Sequence, residues 1–279
     1  MMNTRAAYTT AELVFEAATV SRVGKSRAVN EDVVDIRIRN NPGGPPVGYA
    51  IVCDGLGGYE AGEIASRLAV RVMRTALVDA IPGLEDPAAG PSAFRTDAMH
   101  LRRRISGGIR LANQEIYRFS RQNEEASFQH SGTAMTLAAL FGGLAVIAHV
   151  GNSRAYRYRE GRLEQVTKDH TIVSELIRAG ILSSGKARRH PHRNVLTRAL
   201  GTQPHVEADI QTIELCPEDK LLLCSNGLWA SFTHDLAMAG ILERGLPPDQ
   251  MAAGLVRIAR SLDGGDDLSA IVVEIRSRK

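Results

Sequence analysis

The stretch "GTAMTLAALFGGLAVIAHVGNSRAYRYREGRLEQVT", residues 132–167, sets the fold class. Its apolar and alternating runs are separated by Gly-Gly, Gly-Asn and Glu-Gly turns, which predicts an antiparallel meander. On its N-terminal side, residues 13–23 alternate loosely and suit a strand at a sheet edge. Residues 33–39 alternate cleanly, and the turn cluster "NNPGGPP" (40–46) folds them back onto "VGYAIVCD" (47–54). Apolar residues at helical spacing fill 60–81, with acids in the first turn. A loop follows over 82–93, then a long helix over 95–122 that should break or kink near Gly107-Gly108. On the C-terminal side come a helical, basic insertion (171–193), strands over 206–215 and 220–225, a helix pair within 234–262, and "LSAIVVEIR" (268–276) to close the sheet.

Strands and helices thus come in blocks and not in strict alternation. That argues for an α+β protein of mostly antiparallel sheets layered against helices, and against a doubly wound parallel sheet. No linker is long enough to force a second domain, so a single domain over 12–276 is expected, with 1–11 as an N-terminal extension. At 279 residues the chain can bury a sizeable core, and its 44% hydrophobic content fits a globular protein. A net charge of +3 is too small to indicate nucleic acid or a membrane surface as partner. Cys53, Cys216 and Cys224 form no CxxC pair and lie in apolar settings, as in a reduced protein. No apolar run reaches the length of a membrane span and no signal peptide is read, so a cytoplasmic location is expected.

Short acids fall at strand ends and turns: "NED" at Asn30-Glu31-Asp32, "CDG" at Asp54, and "GGDDLS" at Asp266-Asp267. "KLLLCSNGLW" (220–229) ends like "YAIVCDGLGG" (49–58), but with the amide Asn226 in place of an acid. A single Asp-Gly after a strand is usually only a turn. Several such ends meeting at one end of a sheet would make an oxygen-rich negative pocket, which hard divalent cations such as Mg²⁺ or Mn²⁺ relieve. "GKS" (24–26) is no phosphate-binding loop, because Thr19 stands where the leading glycine is required.

"RVGKSRAVNED", "YAIVCDGLGGYEAGEIAS", "SGTAMTLAAL", "AVIAHVGNSRAYRYREGRLEQVTKDHT", "NVLTRALGT", "DKLLLCSNGLW" and "DDLSAIVV" together resemble, in order, the motifs of PP2C-type (PPM) bacterial serine/threonine protein phosphatases. The resemblance implies a four-layer α-β-β-α sandwich with a binuclear Mn²⁺ or Mg²⁺ centre at one end. Carried over by position, Asp54 would bridge the metals. The Gly55 carbonyl and Glu31 would complete one site, Asp266 and Asn226 the other, and Asp32 would support the water shell. A metal-activated water would attack phosphoserine or phosphothreonine directly, so no side-chain nucleophile is needed. Arg27, four residues before Glu31, matches the family's phosphate-binding arginine, for which a guanidinium fork is suited. Residues 171–193 correspond to the family's flap, and "HPH" (190–192) within it reads as solvent-exposed. The substrates implied are phosphoproteins of a bacterial serine/threonine kinase.

The chain departs from the family at identifiable positions. Asn226 replaces a metal-binding aspartate, and Asp267 replaces the asparagine that usually follows the metal-binding Asp266, so Asp267 is expected to compensate partly for Asn226. Gln129-His130 stand where many members have an acid for a third metal, which argues against a third ion. Asn152 replaces an aspartate at a position that reads as a structural turn. Leu56 in place of histidine leaves no general acid there. Asn226 also supports an alternative, a pseudophosphatase that binds a phosphoprotein or partner through a weakened metal site.

Overall fold

A computed structural model describes residues 13–278, apart from 43, 58–59, 86–97, 123–130 and 188–189. The strands are β1 (Leu13–Arg22), β2 (Val33–Asn40), β3 (Pro46–Leu56), β4 (Gly132–Phe141), β5 (Leu144–Val150), β6 (Arg154–Arg159), β7 (Arg162–Gln165), β8 (Asp209–Glu214), β9 (Lys220–Cys224) and β10 (Leu268–Ser277). The helices are α1 (Glu60–Ala80), α2 (Ala98–Gln122), α3 (Ile172–Arg178), α4 (Ser184–Ala187), α5 (Asn226–Ser231), α6 (Asp235–Leu242) and α7 (Pro248–Leu262). Two five-stranded sheets result, ordered β1-β10-β9-β6-β7 and β2-β3-β4-β5-β8. Every neighbouring pair is antiparallel, and β1 lies at a sheet edge as its loose alternation predicts.

The unbroken apolar runs in β3 and β9 have a simple origin. Successive side chains of a strand point to opposite faces, and both faces of these strands are buried. Ala50 and Val52 of β3 meet Leu221 and Leu223 of β9 between the sheets, with Ile271 and Val273 of β10. Tyr49, Ile51 and Cys53 face the other way, onto Ala65, Met73 and Leu77 of α1 and Ile105 and Ile109 of α2. Leu222 and Cys224 pack against Leu228 of α5, Met238 of α6 and Leu255 of α7. The arrangement is the four-layer α-β-β-α sandwich.

Three expectations change. Residues 132–167 form two hairpins in different sheets, because the chain crosses between sheets at Gly151–Ser153; the local pattern cannot distinguish a turn from a crossing. At the crossing, Gly151 has φ of 105° and a Cβ there would lie 2.4 Å from that of Ala134, so only glycine fits. Helix α2 runs unbroken through Gly107-Gly108, and the second glycine serves packing: a Cβ at 108 would lie 2.9 Å from Ala76 Cβ of α1. Finally, Asn226 does not simply end a strand but opens α5, a helix too short to show a periodic signal.

Candidate active site

The parity that sorts apolar residues also gathers the acids. Asp54 continues the inter-sheet face of Ala50 and Val52. The β2–β3 register pairs Val33 with Cys53, so one step further Asp32 stands opposite Asp54. From the other sheet, Ser225 and Ser269 continue the inter-sheet faces of β9 and β10 and bond to each other, the Ser269 N–H donating to Ser225 Oγ at 3.0 Å. The inter-sheet core therefore ends in a layer of carboxylates and hydroxyls.

Close backbone packing holds this layer. A Cβ on Gly55 would lie 2.6 Å from the Gly62 carbonyl oxygen of α1 and 2.8 Å from Glu31 Cβ. Likewise a Cβ on Gly227 would fall on the Asp267 carbonyl, and one on Gly24 on the backbone of Asp266. The backbone N–H of Asn226 donates to Asp54 Oδ2 at 3.0 Å, which fixes the start of α5 against β3. Thr133 Oγ1 donates to the Asp54 carbonyl at 2.9 Å.

Asp267 has a role the sequence did not reveal. Its carboxylate accepts from the backbone N–H of Gly24 and of Glu31, each at 2.8 Å. With both oxygens engaged, it anchors the loop that carries Arg27 and Glu31, a role additional to the partial compensation for Asn226 expected of its charge. Only its field reaches the neighbouring acids. The loop delivers Arg27, whose Nε and Nη2 reach Asp266 Oδ1 at 2.9 and 2.7 Å and whose Nη1 lies 3.5 Å from Glu31 Oε2.

The electrostatics follow from burial. Asp54 is pushed up to about 7, chiefly by desolvation, with further repulsion from Asp266 and Asp267. Asp32 is held well above the usual carboxylate range by burial and by Asp54, and Glu31 is raised by burial. Asp32 Oδ2 is buried with no hydrogen-bond partner, an acceptor facing other acceptors. Such a donor set of hard oxygens under mutual repulsion fits divalent cations of the Mg²⁺ or Mn²⁺ kind. Burial lifts the thiols of Cys53 and Cys224 far from ionisation, so neither is a nucleophile.

The remaining candidates lie elsewhere. Thr171 caps α3 at the root of the 171–193 segment, where Pro191 and His192 are exposed as expected but His190 is half-buried; Gln129-His130 lies outside the described residues. Away from the carboxylates, His149, His170 and Asp209 form a compact cluster. Its hydrogen bonds argue against a metal there. His170 Nδ1 accepts from the Gly151 N–H at 3.1 Å, which places the ring proton on Nε2, 3.4 Å from Asp209 Oδ2. Arg198 Nη1 already reaches Asp209 Oδ1 at 3.1 Å. Both imidazoles are disfavoured as cations, since burial lowers them, His149 to about 4.

A buried, glycine-packed carboxylate cluster thus lies at one end of an antiparallel α-β-β-α sandwich, the arrangement that the resemblance to metal-dependent phosphatases implies. Comparison with known proteins agrees. The family profile described as protein phosphatase 2C matches residues 24–257, and the chain belongs to this family. It is 33% identical over 251 residues to the serine/threonine phosphatase stp of Listeria monocytogenes, covering 90% of this chain and 92% of the relative. Among solved structures, the Mycobacterium tuberculosis serine/threonine phosphatase PstP/Ppp superposes with a TM-score of 0.77 at 27% identity, covering 94% of this chain and 99% of that one. The catalytic domain of PstP in complex with two manganese ions gives a TM-score of 0.76 at 27% identity, covering 95% of this chain and all of that one.

Proposed function

We propose that this protein phosphatase hydrolyses phosphoserine and phosphothreonine in proteins, using two divalent cations, Mn²⁺ or Mg²⁺, held by the carboxylate end of the sandwich. Asp54, Glu31, the Gly55 carbonyl, Asp266 and the Asn226 side chain would hold the ions, and Asp32 would support their water shell. When bound, such a metal pair lowers the pKa of a shared water and offsets charge on the phosphoryl oxygens. The chain's own groups do the rest. Asp32 and Asp54 offer buried acceptors, and Asp267 holds the Arg27 loop to the site by backbone bonds. Arg27, more than a third exposed and forked at the rim, meets the incoming phosphate oxygens.

The observation that carries this reading is the cluster of acids at the end of the inter-sheet core, where Asp32 Oδ2 is buried without a hydrogen-bond partner and burial pushes Asp54 up to about 7. The substrates are phosphoproteins, and the opposing enzyme is a bacterial serine/threonine kinase. No helix among the described residues is long and apolar enough to cross a membrane, and a cytoplasmic site of action fits those substrates. A single catalytic domain over 12–276 is the corresponding unit. The binding-only alternative rests on Asn226 alone. Its backbone N–H braces Asp54, and the other expected ligand residues are gathered around it. The test is hydrolysis of p-nitrophenyl phosphate and a phosphothreonine peptide with Mn²⁺, with EDTA and Asp54→Ala as controls. Turnover that requires Mn²⁺ is expected; none at millimolar Mn²⁺ would overturn catalysis.

A further inference from the structure

Helix α5 carries Asn226 at its first turn and Trp229, the only tryptophan of the chain, three residues later. The indole is held on two sides. Its Nε1–H donates to the Asn152 carbonyl at 2.9 Å, and the Arg154 guanidinium lies over its ring, 3.3 Å from the centroid. Arg154 stands on β6 directly opposite Cys224, at the end of the strand from which α5 departs. The same guanidinium forks onto Asp169, Nε to Oδ1 at 2.8 Å and Nη2 to Oδ2 at 2.7 Å, and Nη1 donates to the Tyr156 hydroxyl at 2.8 Å. Gln165 Nε2 also donates to Asp169 Oδ1 at 3.0 Å. Both members of the ion pair are largely buried.

A guanidinium buried this deeply, with all three nitrogens bonded and one face stacked, is more than a surface ion pair: it fixes the plane against which α5 rests. Two residues on, Asp169 is followed by His170 and by Thr171, the cap of α3 at the root of the 171–193 segment. We propose that Arg154 is a positioning residue for the metal site. It clamps Trp229, and through α5 sets Asn226 against Asp54, while the same fork ties that helix to the root of the 171–193 segment. Arg154 touches neither metal nor phosphate in this scheme. The proposal rests on the metal-site reading above, and its test separates the two.

Mn²⁺ binding is measured by calorimetry on the wild type, Arg154→Lys and Trp229→Phe, with wild-type Trp229 emission followed during titration. Lysine keeps the charge but loses the planar stack and the fork. Phenylalanine keeps most of the packing and alters no charge. The wild type should bind Mn²⁺ with a change in Trp229 emission. Each variant should keep its far-ultraviolet circular dichroism and bind Mn²⁺ roughly 10-fold more weakly, the lower end of what supporting residues around a metal contribute. Activity on p-nitrophenyl phosphate should fall at limiting Mn²⁺ and return at saturation, with KM little changed. Failure of the wild type to bind Mn²⁺ would refute the metal reading itself. If the wild type binds, variants of wild-type affinity, even ones of lowered Tm, refute the positioning role. Should Arg154→Lys fail to fold, Trp229→Phe and the wild-type emission decide: an emission indifferent to Mn²⁺, or unchanged affinity in Trp229→Phe, overturns the proposal.

Discussion

Strands β9 and β10 carry charge at both ends, and the two ends treat it oppositely. At one end Lys220 and Glu274 stand opposite each other in the register, 3.6 Å apart, and Arg276 adds a second contact to Glu274 at 2.7 Å. Nearby, Arg159 forks onto buried Asp219, with both oxygens at 2.6 Å. At the other end the same strands run into Ser225-Asn226 and Asp266-Asp267, where the acids outnumber their cation, Arg27. Desolvation is costly at either end. The first end answers it within the chain, by arginine and lysine. The second leaves Asp32 raised by burial and by Asp54, and Asp54 raised by burial and by Asp266 and Asp267, all held in place by glycine packing and backbone N–H groups. An acid left this way is a demand for cations from outside.

The strongest way to break the contrast is to remove the central acid. Asp54→Asn should abolish Mn²⁺-dependent hydrolysis, a loss beyond the ~10–100-fold typical of supporting residues. The metal-free protein should meanwhile melt higher in EDTA than the wild type at neutral pH, because a repulsive buried charge is gone. Paired activity and melting assays check both; a variant less stable in EDTA would show that Asp54 is neutralised within the chain.

A change of pH probes the same repulsion. Asp54 and Asp32 have native pKa values above their unfolded ones, so the folded state binds more protons and metal-free stability falls as pH rises. For Asp54 the loss spans about pH 4 to 7 and is on the order of 4 kcal/mol. Saturating Mn²⁺ should flatten that slope. Urea unfolding in EDTA and in Mn²⁺ across this range measures it.

At the opposite end, Arg159→Met leaves Asp219 buried without its fork and should cost ~3 kcal/mol in urea unfolding, with Mn²⁺ affinity unchanged. The smallest effect is expected at Asn226→Asp. Restoring the charge should tighten Mn²⁺ by up to ~10-fold in calorimetry while lowering the EDTA melting temperature, since it adds repulsion where nothing inside the chain answers it. An Asn226→Asp variant with unchanged affinity would remove position 226 from the ligand set.

Much of the site could be read from the chain because its residues sit where strands stop. "CDG", "NED" and "GGDDLS" each place an acid beside a glycine or at a strand boundary, and such acids are conspicuous in an apolar sequence. The anchoring role of Asp267 was not legible because an aspartate that holds backbone N–H groups and one that contributes only charge look identical in sequence. The roles of Gly24 and Gly227 depend on Asp266 and Asp267, about 240 and 40 positions away, which no local pattern carries. Arg154 stood among many arginines, and only the 3.3 Å stack on Trp229 marks it out.

Hydrophobic periodicity, turn residues and the placement of short acids determined the α+β class, the antiparallel pairing and the set of acids, because these are local consequences of steric preference and solvation. Tertiary structure decided which hairpin joined which sheet, since Gly151–Ser153 reads as any turn would. It also decided which acids were answered inside the protein. Asp219 met Arg159 across the fold, while Asp54 met the N–H of Asn226 and other carboxylates. Charge compensation is settled by distance in space, and residues far apart in the chain acquire that distance only when the two sheets close on one another.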